Sequence, residues 1–541
     1  MSSQLRVGEA VVDLLVREYG VDTVFGIPGV HNIELYRGLH RSGVRAISPR
    51  HEQGAGFMAD GWSVVTGRPG VCTLITGPGL TNALTPMAQA FHDSRPMLVL
   101  AATTDTGALG KRFGPLHDLD DQAAVARTVT AFSETVTDPA ELPGLLARAW
   151  EVFTSSRPRP VHLAIPTDVL ERWVDPFTAV PSSAARPVAD DATIAAAVGA
   201  LAGAGAGDRV VIAGGGAIDA GAEVLAVAEA LDAAVVLTGN AKGVVASSHP
   251  RCAGNVLGSS GVQRRLEAAA AVLVVGSEVS DADLYNGGRA LAFTGTTVRI
   301  DLDADQLHRR MTPTVAVHGD AAVALAAIAE RLAARGGPGV TAHSAGQVLA
   351  AELHATALGE FRPDLLPWVD AIAATLVADT VVALDSTQLA YTAHVALPCE
   401  RPRSWLAPYG LGTLGCALPM AIGAAVADRA RPVVALAGDG GWLFTVAEMA
   451  TAADEQLDLV LVLWDNRGYA QIRQSFDDVD APRMGVDVSS TDPLGIARGF
   501  GWQATSVASP GALTVAIREA QQAGGPHLVR VEVPGAYASP K

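Results

Sequence analysis

Cysteine is scarce in this chain: there are four in 541 residues, Cys72, Cys252, Cys399 and Cys416, far apart and with no CxxC pair. That spacing suggests neither a disulfide framework nor a zinc site. Basic charge is also short, 39 Lys and Arg against 56 Asp and Glu, leaving a net charge of −17. Nucleic acid or an anionic membrane surface would need a basic face, so both are disfavoured as partners. A neutral or cationic small substrate is easier to accommodate. Long hydrophobic runs are missing: VVIAGGGAI and VVALAGDGG break at glycine, well short of the ~20 apolar residues of a membrane span. MSSQLRVGEAVVDLLVREYG carries acidic residues within a helical period and lacks the apolar core and cleavage pattern of a signal peptide. The expectation is a soluble, cytoplasmic protein.

Apolar residues (49%), 56 glycines and 31 prolines describe a globular α/β protein with many tight turns, and the length implies roughly three domains. Helical segments alternate with wholly apolar, β-branched strands such as GVCTLITGPG, RVVIAGGGAI and LDLVLVLWDN. Such alternation predicts parallel sheets flanked by helices. Two aperiodic stretches, AVPSSAARPVAD (179–190) and AARGGPGVTAHSAG, read as linkers. They divide the chain into domains at 1–180, 191–335 and 350–541, with three mostly parallel sheets of one general type.

Two strand ends carry chemistry. LAGDGG ends a strand and opens the helix WLFTVAEMATAADE; its glycines let backbone N–H groups approach a phosphate, and the helix start favours an anion. Asp439 there suits a divalent metal, although Gly-Asp-Gly alone is also a common turn. The next strand, LVLVLWDNRGYAQI, ends in Asp465, Asn466 and Gly468, about one βαβ unit later, so the two ends can lie side by side. A carboxylate, an amide oxygen and a backbone carbonyl are the hard ligands that Mg²⁺ takes. Glu52, in ISPRHEQGAGFMADGW, enters an apolar helix, where an ionised carboxylate is costly without a partner.

The GDG…N spacing resembles the thiamine diphosphate (ThDP) motif of the acetohydroxyacid synthase and pyruvate decarboxylase superfamily. VFGIPG, RHEQGAGFMADGW, ITGPGLTNAL, RPVHLAIPTDV, RIDLDADQL and YGLGTLGCALPMAIGAA occur in that family's order. Within it, VFGIPGVHNIELYRGL and LDSTQLAYTAH are most similar to the 2-ketoarginine (5-guanidino-2-oxopentanoate) decarboxylases. The resemblance implies pyrimidine-binding, central and diphosphate-binding domains, and the cofactors ThDP and Mg²⁺. It implies that Glu52 hydrogen-bonds N1′ of the aminopyrimidine and promotes the tautomer whose 4′-nitrogen deprotonates thiazolium C2. The Gly412 carbonyl would accept from the 4′-amino group and Leu414 would support the bent cofactor. Gly440 and Gly441 would donate N–H groups to the diphosphate, with Gln388 nearby. Asp439, Asn466 and the carbonyl of Gly468 would hold the metal. The active sites would lie between subunits of a homodimer or homotetramer, acting on a small 2-oxo acid by decarboxylation, or by carboligation as the alternative.

Some positions depart from the pattern. Val30 and then His31 follow the PG turn where pyruvate decarboxylases place an acid. Val30 cannot move a proton, and His117, in PLHDLDDQ, is the candidate acid or base. Asp465 replaces the first of two usual asparagines. Val30, His31 and Tyr469 are the candidates for the substrate pocket, which the segment after Tyr469 borders in relatives. Asp477, Asp478 and Asp480 offer charge to a guanidinium and Arg473 to a carboxylate, although such mixed charge more often marks a solvated face. In the central domain, Asp301 and Asp303 of RIDLD and the glycine turn of VVIAGGGA are kept by relatives that hold no flavin, so FAD is the minority expectation.

Overall fold

The computed structural model describes residues 4–182, 184–205, 207–335, 344–488 and 490–533. Most of the second expected linker (336–343) and the end of the third expected domain (534–541) lie outside the described residues.

Three six-stranded sheets, parallel throughout, dominate the fold. The first uses strands Thr23–Gly26, Arg45–Ile47, Gly70–Leu74, Met97–Thr103, Phe132–Thr135 and Val161–Pro166. The third uses Val381–Leu384, Trp405–Leu406, Val433–Gly438, Leu459–Asp465, Gln503–Val507 and Pro526–Glu532. With strands numbered along the chain within each sheet, both have the spatial order 2-1-3-4-6-5. The middle sheet, from Arg209–Ala213 to Val315–His318, has the order 3-2-1-4-5-6. One sheet type therefore describes the outer two but not the middle. Helices cover both faces, so Met97–Thr103 and Leu459–Asp465 are buried at every residue.

The outer two sheets share one core, which runs from Phe25 and Met58 through Met420 to Leu461. At its centre, helix Glu52–Thr66 packs on helix Ala417–Ala427. Glycines set the approach: a Cβ on Gly61 would meet the Met420 backbone, and a Cβ on Gly423 would meet the Met58 backbone. This reciprocal arrangement echoes the matching strand orders. Arg95 ties all three domains together, donating to Asp60 (2.9 Å), to Asn240 Oδ1 (3.0 Å) and to the Ala407 carbonyl (3.4 Å).

The helix expected over WLFTVAEMATAADE is broken into Asp439–Trp442 and Glu448–Asp454. The turn between them carries Thr445, whose hydroxyl donates to the Gly415 carbonyl at 2.7 Å. No described helix is long and apolar enough to cross a membrane, and all four cysteines are unpaired.

Candidate active site

Strands Val433–Gly438 and Leu459–Asp465 are parallel neighbours, so Asp439 and Asn466 emerge from the same sheet edge. Asp439 Oδ2 accepts from the Gly468 N–H at 2.7 Å. One polar atom of the Asn466 amide stands 2.8 Å from the Gly468 carbonyl oxygen and 3.2 Å from Asp439 Oδ1. With the amide nitrogen there, both contacts are hydrogen bonds. With the oxygen there, three oxygens face one point, a donor set suited to a hard cation. Gly468 has φ +123°, backbone that glycine adopts readily.

Asp465 belongs to a different set. It is fully buried and pairs with Arg530 Nε at 2.8 Å on the adjoining strand, so its charge is neutralised within the sheet. Tyr469 packs its ring on Gly440, where a Cβ would come within 2.8 Å of Cδ1; it thus bears on the glycine loop. Arg473 donates to the Asn466 carbonyl (2.6 Å) and the Arg467 carbonyl (3.0 Å) and braces the same turn. The acidic run beyond it is a solvated face: Asp477 pairs with Arg483, Asp478 accepts from Gln474, and Asp480 is exposed.

Gln388 begins the helix that follows strand Val381–Leu384, next to the Asp439 strand. Gly412, exposed at φ +66°, accepts from Ser386 Oγ at 3.4 Å, and Leu414 is half-buried in the same turn. Asp385 organises this corner, accepting from the backbone N–H groups of Ser386 (2.8 Å) and Gly415 (2.9 Å). Burial pushes its carboxyl up to about 7. Sequence reading passed over Asp385, although it immediately precedes the STQ stretch.

In the first domain, Glu52 is buried at the start of its helix and accepts from Asn82 Nδ2 at 2.9 Å. Arg50 turns away, bonding to Asp454 and to the Ser48 carbonyl. The helix is started by His51, whose Nδ1 accepts from the Gln53 N–H at 3.1 Å. Glu448, from the third domain, accepts from the N–H groups of Arg50 and His51 at 3.0–3.1 Å. It therefore fixes the turn that presents Glu52. Its sequence context, an acid in an otherwise helical run, carried no signal of this.

His31 and His117 lie on loops far apart in sequence, yet their rings meet edge to face with centroids 5.4 Å apart. The Nδ1 atoms of both are shielded and have no hydrogen-bond partner among the described residues. Burial, and then His117, hold the His31 imidazole below its usual range against the opposing pull of Asp105. His117 has φ +66°, uncommon for a side-chain-bearing residue. Its carbonyl crowds Gly77, whose N–H is held by Gln122 Oε1 at 2.9 Å. Val30 beside them is 71% exposed.

Comparison with known proteins agrees with this geometry. The N-terminal TPP-binding, central and C-terminal TPP-binding domain models of thiamine pyrophosphate enzymes match residues 5–125, 194–328 and 385–531. A protein of Pseudomonas aeruginosa named as a probable 2-ketoarginine decarboxylase is 43% identical, over 92% of this chain and 88% of its own. The acetolactate synthase isozyme 1 large subunit of Escherichia coli is 30% identical, over 97% of this chain and 93% of its own. With three such domains in order and the two strand ends meeting at one sheet edge, this chain belongs to the thiamine pyrophosphate-dependent enzymes.

Proposed function

We propose that the chain is a ThDP- and Mg²⁺-dependent, non-oxidative 2-oxo acid decarboxylase that releases CO₂ and an aldehyde. The observation carrying this reading is the convergence of Asp439, Asn466 and the Gly468 carbonyl at adjacent strand ends. The Asn466 amide lies 2.8 Å from the Gly468 carbonyl oxygen and 3.2 Å from Asp439 Oδ1, so with its oxygen turned to that point these three oxygens would hold Mg²⁺. Gly440 and Gly441 would give their N–H groups to the diphosphate with Gln388 beside it. Gly412 and Leu414 would receive the pyrimidine side and the bend, and Glu52 would face N1′.

When bound, ThDP supplies the electron sink for the electrons left behind as CO₂ departs. The chain's own task is to place protons. Glu52, held at its station by Asn82 and by the Glu448-braced turn, would exchange one with the pyrimidine N1′. His31 and His117, paired ring to ring, would deliver one to the carbon that becomes the aldehyde, a step Val30 cannot serve.

The working unit is a homodimer or a dimer of dimers, Glu52 of one protomer meeting the diphosphate loops of its partner. Exposed apolar side chains on both outer domains support it, among them Val30, Phe113 and Leu116 on the first and Leu411, Phe444 and Met484 on the third. Burying such groups favours association. A cytoplasmic setting agrees with the four unpaired cysteines.

The name of the Pseudomonas relative makes 5-guanidino-2-oxopentanoate the first acid to test. The acetolactate synthases among the relatives favour carboligation as the second reading. The test is product analysis with 5-guanidino-2-oxopentanoate and pyruvate, with and without ThDP and Mg²⁺. Aldehyde with stoichiometric CO₂ supports decarboxylation; a 2-hydroxy-2-alkyl-3-oxo acid supports carboligation; no cofactor-dependent turnover of either acid counts against both.

A further inference from the structure

A cavity of about 280 Å³ opens between the central and third domains. It is at the small end of ligand pockets, enough for the tail of a small molecule. Its walls are aromatic: Tyr285 comes from the central domain, and Phe361, Tyr391 and Tyr409 from the chain that follows it. Tyr391 lies one helical turn beyond Gln388, and Gln471, also in the wall, lies two residues beyond the Tyr469 that packs on Gly440. The cavity therefore adjoins the loops proposed to hold the diphosphate and metal.

Asp283 supplies the cavity's carboxylate. It accepts from the Gly239 N–H (3.3 Å) and from the Ser280 N–H (3.3 Å) and hydroxyl (3.0 Å), and has no ion-pair partner among the described residues. Among the described residues, no lysine or arginine lines the cavity. The nearby Lys242 is engaged elsewhere, donating to the carbonyls of Ala393, His394 and Leu397 and lying 3.8 Å from the centroid of the Trp405 ring. His394, also in the wall, joins Tyr409 Oη through Nδ1 at 2.8 Å. A carboxylate lacking a cation, ringed by aromatic faces, suits a flat, weakly hydrated cation that can stack and donate two hydrogen bonds at once.

We infer that this interdomain cavity is the recognition subsite for the terminal guanidinium of a 2-oxo acid substrate, with Asp283 as the specificity-determining residue and Tyr285 and Tyr391 as stacking walls. The inference rests on the 2-oxo acid reading above and adds to it the part of the substrate that reading left open.

The test compares kcat/KM of the holoenzyme for 5-guanidino-2-oxopentanoate with that for 2-oxooctanoate, an acid whose tail is uncharged. In Asp283→Asn the ratio of the two falls about tenfold or more, as expected for losing a hydrogen-bonded charge pair. In Tyr285→Ala, at a largely exposed ring, it falls about two- to fivefold. Ratios within twofold of wild type in both variants overturn the inference. A wild-type enzyme that prefers 2-oxooctanoate also overturns it, while leaving decarboxylation standing. If no 2-oxo acid yields CO₂, the decarboxylase reading fails, and calorimetry with agmatine decides the inference separately. Binding weakened tenfold by Asp283→Asn supports the subsite; no binding, or binding indifferent to that change, overturns it.

Discussion

Gly61→Ala is the sharpest test of how the fold aims its glutamate. A Cβ at Gly61 would sit 2.8 Å from both the carbonyl carbon and the Cα of Met420, and closer still to the carbonyl oxygen. Ordinary carbon–carbon contact is about 3.5–4.0 Å, so the two helices must part by roughly 1 Å. Both sides are backbone, and no flexible side-chain end can give way. One helix carries Glu52 at its start and the other follows the Gly412–Leu414 turn, so the displacement reaches both proposed pyrimidine contacts. A shift of about 1 Å costs on the order of a hundredfold in rate, and overpacking of this kind costs about 1–3 kcal/mol of stability. The assay is CO₂ release at saturating ThDP and Mg²⁺, with circular dichroism and a thermal scan on the same samples. Gly199→Ala is the control: its helix position has nothing within 4 Å of a new Cβ, and alanine there stabilises by about 0.4–1 kcal/mol. A Gly61→Ala enzyme that folds and keeps kcat within about threefold of wild type would refute the argument that this glycine contact sets the geometry of the site.

Three further outcomes are expected. Glu52→Gln keeps the oligomer, as judged by sedimentation, and lowers kcat by about a hundredfold or more; unchanged turnover removes its assigned role. Asp439→Ala abolishes the thermal stabilisation by ThDP with Mg²⁺, which in the wild type amounts to about 2.7 kcal/mol at a hundredfold excess over Kd, and a retained shift shows that the metal sits elsewhere. His162 is fully buried against Ser133 Oγ at 2.7 Å, and burial lowers its imidazole to about 3. Because the unfolded chain binds the proton more readily, the stability His162 contributes is complete above about pH 6.5. It is lost at about 1.4 kcal/mol per pH unit as pH falls toward about 3. His162→Asn should flatten that part of the melting-temperature profile, and an unaltered slope between pH 6.5 and 5 contradicts the assignment.

Much of the site was legible because its parts are local. Asp439 follows a strand and opens a glycine turn, Asn466 and Gly468 follow the end of the next strand, and wholly apolar strands joined by helical crossovers make neighbouring parallel strands end together. The helix beginning at Glu52 was readable from its small and apolar residues. The residues that sequence reading missed act across distances that no local pattern encodes. Glu448 braces the backbone of Arg50 and His51 from another domain, Asp385 orders Gly415 across a crossover, and Asp283 and Tyr391 come to line one cavity only where two domains abut. His31 was expected at the substrate pocket from the sequence, but only folding set its ring against that of His117.

The sequence by itself determined three α/β units and marked the glycine turn and the oxygen donors proposed to hold the diphosphate and the metal, since propensity, periodicity and motif spacing are properties of short segments. Only the tertiary structure decided that the outer sheets share one strand order and one core, and that the acidic run near Asp477 faces solvent. It also decided that Asp465 is spent on Arg530 and that a carboxylate without a cation lies in the interdomain cavity. Each of those depends on which surfaces are buried against which, and the energy of a charge is set by the partner that burial gives it.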